Sequence, residues 1–143
     1  PGMGTGLEPS RDGGTREQAV TGEGLTQAFR AALAVTQIPF YDFPALIGDL
    51  NGEHFKFKEQ MMAQMRLDRA PPEGRSRRPR GYTEHWNLIE NTGEIGAALM
   101  PVQLAWAFEM GRAGLLPQNR ALCFAGEDDG RRVALSAEMR GLP

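Results

Sequence analysis

The chain has 143 residues, 41% hydrophobic and 24% charged, a composition that suits one globular domain. Its near-balance of acids and bases leaves a formal net charge of -2, so no global field calls for nucleic acid or an anionic membrane. No apolar run approaches the roughly 18 residues of a membrane span, the N-terminus lacks a basic-then-apolar secretory pattern, and Cys123 has no second cysteine to pair with; the expectation is a cytoplasmic protein.

Residues 1–21 hold many glycines and charges and no apolar period, which predicts an irregular lead-in outside the core. From Gly24 the pattern changes: Leu25, Phe29, Ala32, Leu33 and Thr36 recur at helical spacing, with Thr21 or Glu23 available as a cap and Pro39 as a stop. The apolar stretch Phe40 to Asp49 then predicts a buried strand, ending in the turn signal Asp49-Leu50-Asn51-Gly52. A helix with an apolar face follows through about Asp68, carrying Phe55, Phe57, Met61, Met62, Met65 and Leu67.

Residues 70–81, with four arginines and three prolines, predict an exposed loop. Trp86 to Ile89 predicts a second short strand, and the small residues Gly96, Ala97 and Ala98 lead into a close-packed helix reaching about Arg112. Finally, Arg120 to Ala125 and Arg132 to Ala137 flank an Asp-Gly turn, the pattern of a β-hairpin. This order of elements predicts an α/β layer structure. A large covered sheet is short of partners at this length, and a second lobe or a second chain could supply them.

Several of these segments resemble one family. Gly24-Leu25-Thr26-Gln27-Ala28-Phe29-Arg30-Ala31-Ala32-Leu33, followed by a strand ending in Asp49-Leu50-Asn51-Gly52, is similar to the second half of β-ketoacyl synthases, where such a helix precedes a strand that delivers a catalytic His. Gly93-Glu94-Ile95-Gly96-Ala97-Ala98 resembles the Gly-His-x-x-Gly-Ala-Ala element of elongating synthases, and Ala97 to Pro101 resembles the Ala-Ala-Ser-Ile-Pro of initiating ones. The closing hairpin, Leu122 to Leu135, looks like the last two strands. The resemblance implies the C-terminal lobe of a thiolase-like fold over residues 22–143, a mixed sheet covered by helices, whose N-terminal partner half carries the nucleophilic Cys. It also implies an acyl carrier protein as a possible partner, self-association through sheet edges, and neither cofactor nor metal.

Thiolase-type condensation needs a thiolate to hold the acyl group and neutral donors to stabilise the developing oxyanion and enolate. Cys123 sits mid-strand in an apolar run, which predicts a buried structural thiol. Asn51 and His54 stand near the first expected His, either as a donor pair or as a turn residue and its neighbour, with Glu53 placed to cap the next helix. At the second position Gly93 replaces the His, with Asn91 close by as a weak donor candidate. His85 has no companion at ligand spacing, so a zinc site is not expected. The arginines between Arg75 and Arg80 are either a solvated loop or a grip for a carrier arm, and Met61, Met62 and Met65 are either core or the wall of an acyl pocket. The functional expectation is a degenerate synthase-like domain serving as a binding or structural subunit. The alternative is the C-terminal part of a 3-oxoacyl synthase whose upstream half supplies the Cys for acyl transfer.

Overall fold

A computed structural model describes residues 1–140. Five strands form one mixed sheet: β1 (Gly2–Leu7), β2 (Ala45–Gly48), β3 (Glu84–Asn87), β4 (Arg120–Gly126) and β5 (Arg131–Glu138), in the spatial order β1-β5-β4-β2-β3. β2 runs parallel to both β3 and β4, while β5 is antiparallel to β4 and to β1. Helices α1 (Glu23–Ala34) and α2 (His54–Arg69) contribute to a core with the sheet residues Leu46, Leu122, Phe124 and Ala134. The short α3 (Ile89–Thr92) precedes α4 (Leu99–Arg112), and α4 packs in a second core with Ala45, Ile47, Ala121 and Cys123. Since neighbouring strand residues point to opposite faces, Leu46 and Ile47, or Leu122 and Cys123, divide between those two cores. The α/β layer structure expected from the order of elements and the mixed sheet that the resemblance implied are therefore present.

The lead-in is corrected. Residues 2–7 are a strand, and Glu8 and Ser10 beyond it are buried. β1 alternates Gly2, Gly4 and Gly6 with Met3, Thr5 and Leu7, and the glycines face α1. A Cβ added at Gly4 would lie 2.2 Å from the Ala28 carbonyl oxygen, and one at Gly2 would lie 2.1 Å from that of Ala32. The strand has a period of two, but glycine stands where an apolar side chain would ordinarily mark the buried face, so the helix backbone comes directly onto the strand.

The start of α1 depends on that same segment. Gly22, with φ 70°, turns the chain into the helix without a side-chain cap of its own. The Glu8 carboxylate accepts from the backbone N–H of Thr21 (2.6 Å) and of Gly24 (3.2 Å) and from the Thr21 hydroxyl (2.9 Å). A carboxylate at a helix N-terminus satisfies donors that the helix leaves open. Burial pushes the Glu8 pKa up, but the Thr21 and Gly24 N–H groups, with the Thr21 and Ser10 hydroxyls, prevail and hold it below its ordinary value.

Two further expectations change. Phe40–Asp42 is a 3-10 turn rather than the start of a strand, so β2 begins at Ala45. Most of the apolar face expected for α2 stays out of the core: the buried side carries Glu59, Gln60 and Ala63 with Leu67 from the expected set, while Phe57, Met61 and Met65 are 49%, 53% and 48% exposed. The buried carboxylate is answered by Arg132 of β5, whose Nε and terminal nitrogen donate to Glu59 at 2.7 and 2.6 Å. Both side chains are nearly inaccessible, so the charges are removed from water as a pair.

Candidate functional site

The carboxyl ends of the parallel strands β2, β3 and β4 bring together the loops that begin at Asp49, Leu88 and Glu127, the usual place for a ligand crevice in an open α/β sheet. Here they form a cleft of about 190 Å³ lined by Asp49, Glu53, Lys56, Glu94, Gly96 and the 125–128 turn. Asp49 fixes its floor, accepting from the Gly126 N–H at 2.9 Å and from Lys56 Nζ at 3.2 Å. Gln103 of α4, fully buried, donates from Nε2 to the carbonyls of Gly48 (3.0 Å) and Phe124 (3.1 Å) and ties the ends of β2 and β4 to the helix. Gln103 is the single polar residue between Leu99 and Phe108, and that break in an apolar run was its signal in the sequence.

The residues singled out in the sequence are only partly brought together. Asn51 lies between the first two loops: its Nδ2 donates to Glu53 Oε2 and to Glu94 Oε1, both at 2.7 Å, and its Oδ1 accepts from the Glu53 N–H at 3.1 Å. His54, exposed at the first position of α2, and Asn91, exposed in α3, do not line the cleft. Glu53 does not cap α2 as expected, because its carboxylate is bonded to Asn51 instead.

Gly93 ends α3 with φ 69° and ψ -174°. A side chain at such angles strains the backbone, so this conformation belongs essentially to glycine. The position where the resemblance puts a catalytic His is therefore one whose local backbone opposes any side chain. The cleft is also of the wrong sign for oxyanion chemistry. Asp49, Glu53, Glu94, Glu127 and Asp128 surround it, and the lining cation Lys56 is bonded to Asp49.

Cys123 is fully buried on β4, and its burial pushes the thiol pKa up to about 12, so no thiolate forms near neutral pH. His85 accepts at Nδ1 from Gln60 Nε2 (2.8 Å), and burial, followed by the Arg80 charge, lowers its pKa. Among the described residues no group of three or more His, Cys, Asp or Glu is placed to hold a metal.

The arginine loop divides into two roles. Arg75 and Arg77 are exposed, as expected. Arg80 is not: it reaches inward, bonds the Asp68 carboxylate and the carbonyls of Phe40 (2.6 Å) and Phe43 (3.0 Å), and stacks 4.3 Å from the Phe40 ring centre. The irregular 40–43 turn leaves those carbonyls without sheet partners, and Arg80 supplies donors. Met61 and Met65, facing solvent, form neither core nor pocket wall.

The sheet order, its single antiparallel inner strand and the helices on its two faces are those of a thiolase-like fold. The solved structure of 3-oxoacyl-[acyl-carrier-protein] synthase III from Aquifex aeolicus superposes on 98% of this chain with a TM-score of 0.57 and 12% sequence identity. The chain spans 53% of that enzyme's length, and at this identity the likeness is one of fold. No family model and no curated protein matches the sequence. Among the described residues no helix is long and apolar enough to cross a membrane.

Proposed function

We propose that this chain is a degenerate synthase-like lobe, non-catalytic in itself, that serves as a binding or structural subunit. The observation that carries the reading is the backbone of Gly93: where the resemblance calls for a neutral proton donor, the chain adopts a conformation reserved for glycine. Three features agree with it. Asn51, a neutral donor that bridges the two loops, is engaged by two carboxylates; the cleft wall is acidic; and the sole cysteine lies inside the sheet.

The test is intact mass spectrometry after incubation with acyl-pantetheine thioesters and with an epoxide that alkylates ketosynthase thiols. The expected result is unmodified protein. Acyl transfer to Cys123 would sink the proposal.

A second reading is favoured by one observation, that the chain spans about half of the solved synthase. In it the chain is the C-terminal lobe of a 3-oxoacyl synthase, and an N-terminal half brings the Cys and receives acyl groups from a carrier protein held by Arg75 and Arg77. Co-expression with whatever reading frame lies upstream separates the two: an acyl adduct on an upstream Cys supports this second reading and rejects the first.

A further inference from the structure

Asn51 and Gly52 form the one Asn-Gly pair in the chain, and they sit in the loop that leads from β2 to α2 beside the cleft. Asn87, Asn91 and Asn119 are followed instead by Leu88, Thr92 and Arg120. Before a glycine, the backbone nitrogen reaches the asparagine side-chain carbonyl carbon with least obstruction, because glycine has no Cβ to bar the approach. The fold keeps that freedom. Gly52 is exposed with φ 92°, and a Cβ built on it would meet no atom within 4 Å, so nothing packs the turn in place. Its N–H donates to no backbone carbonyl among the described residues. The Glu53 N–H, donating to Asn51 Oδ1 at 3.1 Å, draws electron density from Cγ and stabilises charge that develops on that oxygen.

We propose that Asn51 is a site of spontaneous modification, and that its conversion to aspartate or isoaspartate opens the cleft. In the first step the Gly52 nitrogen attacks Asn51 Cγ. The N–Cγ bond forms, the Cγ–Nδ2 bond breaks, and the departing nitrogen takes the Gly52 proton and leaves as ammonia, with a succinimide ring behind it. Water then adds to one of the two ring carbonyls. Opening at Cγ gives aspartate; opening at the backbone carbonyl gives isoaspartate, with Cβ now in the main chain. Water is the sole co-reactant, and the reaction draws on none of the acyl chemistry considered above.

The consequence follows from what Asn51 holds. Its Nδ2 is the donor between Glu53 Oε2 and Glu94 Oε1, both at 2.7 Å, and these bonds join the loop after β2 to the loop before α4. Conversion replaces that donor with a third carboxylate. The three then face one another in a cleft whose lining cation, Lys56, is bonded to Asp49, and like charges this close repel. Isoaspartate in addition displaces the backbone just ahead of α2. The two loops part, and the cleft widens. Until then the same two bonds restrain the amide, so the joint that the reaction breaks is also the one that slows it.

Peptide mapping of the full chain after prolonged incubation at mildly alkaline pH, with a fresh sample digested alongside, tests this directly. In the tryptic peptide 31–56, where Asn51 is the single asparagine, the expected result is a gain of the mass that separates a carboxyl from a carboxamide. Methyl transfer by an isoaspartate methyltransferase should mark the isoaspartate fraction. The peptides carrying Asn87, Asn91 and Asn119 should keep their masses, and so should Asn51→Gln, whose longer side chain closes its ring far more slowly. Hydrogen exchange over residues 93–96 should be faster in the converted protein and in Asn51→Asp than in the fresh chain, because both lack the bridging donor. Conversion of Asn51 no faster than of the other asparagines overturns the proposed site. Exchange unchanged in both the converted protein and Asn51→Asp overturns the opening of the cleft.

Discussion

The two faces of the sheet are finished to different degrees. On the α1 and α2 side, the buried charges and a buried hydroxyl have partners within the chain: Glu59 meets Arg132, Glu8 caps α1, and the Ser136 hydroxyl donates to the Ala32 carbonyl, while Gln60 Oε1 and Gln64 Oε1 on α2 find none. On the α4 side the core under the helix is closed, but the helix's outer side and the neighbouring strands are apolar and bare. The first face is closed by two helices, whereas the second is covered only under α4. Substitutions on the first should therefore cost stability of the lobe, and those on the outer side of α4 should cost little of it.

The largest effect is expected at the buried ion pair. Arg132→Leu leaves the Glu59 carboxylate 4% exposed with its two best donors gone, and breaking such a pair from one side costs about 3–5 kcal/mol. Urea denaturation measures it, and the double variant Glu59→Leu, Arg132→Leu should recover much of the loss, because removing both charges removes the unpaired one. Recovery would show that the pair specifies geometry more than it adds stability.

Next comes the close contact of β1 with α1. Gly4→Ala places a methyl group 2.2 Å from a helix carbonyl and 2.5 Å from the Ala32 nitrogen, where the nearest atoms are backbone and cannot swing aside. Overpacking of this kind costs about 1–3 kcal/mol. Thermal unfolding of Gly4→Ala against Thr5→Ala, one residue along on the open face, compares the two sides of one strand; equal losses would contradict the contrast.

These two predictions also locate what the sequence could and could not reveal. Most helices and strands from Gly24 to Glu138 were legible because they carry their own period or turn signal: Leu25 and Phe29 in α1, the Asp-Gly turn of the hairpin, and the small residues before α4; the strand expected over Trp86 to Ile89 instead spans Glu84–Asn87, and Ile89 already begins α3. β1 was not legible, since its signal was glycine at every second position and what it means depends on how near α1 comes. The face of α2 was misread for a related reason. Phe57, Met61 and Met65 share a helical stripe, and nothing local says that Glu59 will find Arg132 seventy-three residues away and take the inner side. At the candidate site, the loop at Asn51 was legible as a turn before a helix, but its bond to Glu94 joins two loops and exists only in the fold.

A smaller effect concerns acid. The folded-state pKa of Glu8 lies below its ordinary value of 4.5, so the carboxylate contributes stability that is fully present above pH 4.5 and is lost as pH falls through the lower folded value. Glu8→Gln should lower stability at pH 7 by about 1 kcal/mol, the usual worth of a helix cap, and should flatten the acid limb of a stability-against-pH curve. An unchanged limb would mean that Glu8 does not hold the start of α1.

The smallest effect on stability, and the sharpest probe of how closed the core under α4 is, lies at Cys123. With its pKa pushed up to about 12 by burial and its side chain inaccessible, the thiol should resist iodoacetamide at pH 8 in the folded protein and react promptly once urea unfolds it. Because the alkylation rate follows the fraction of open molecules, the same measurement on Arg132→Leu and on Phe108→Glu separates the two faces. The first should expose Cys123 by unfolding the whole lobe, while the second, which alters only the exposed outer side of α4, should leave its alkylation rate close to that of the unchanged chain.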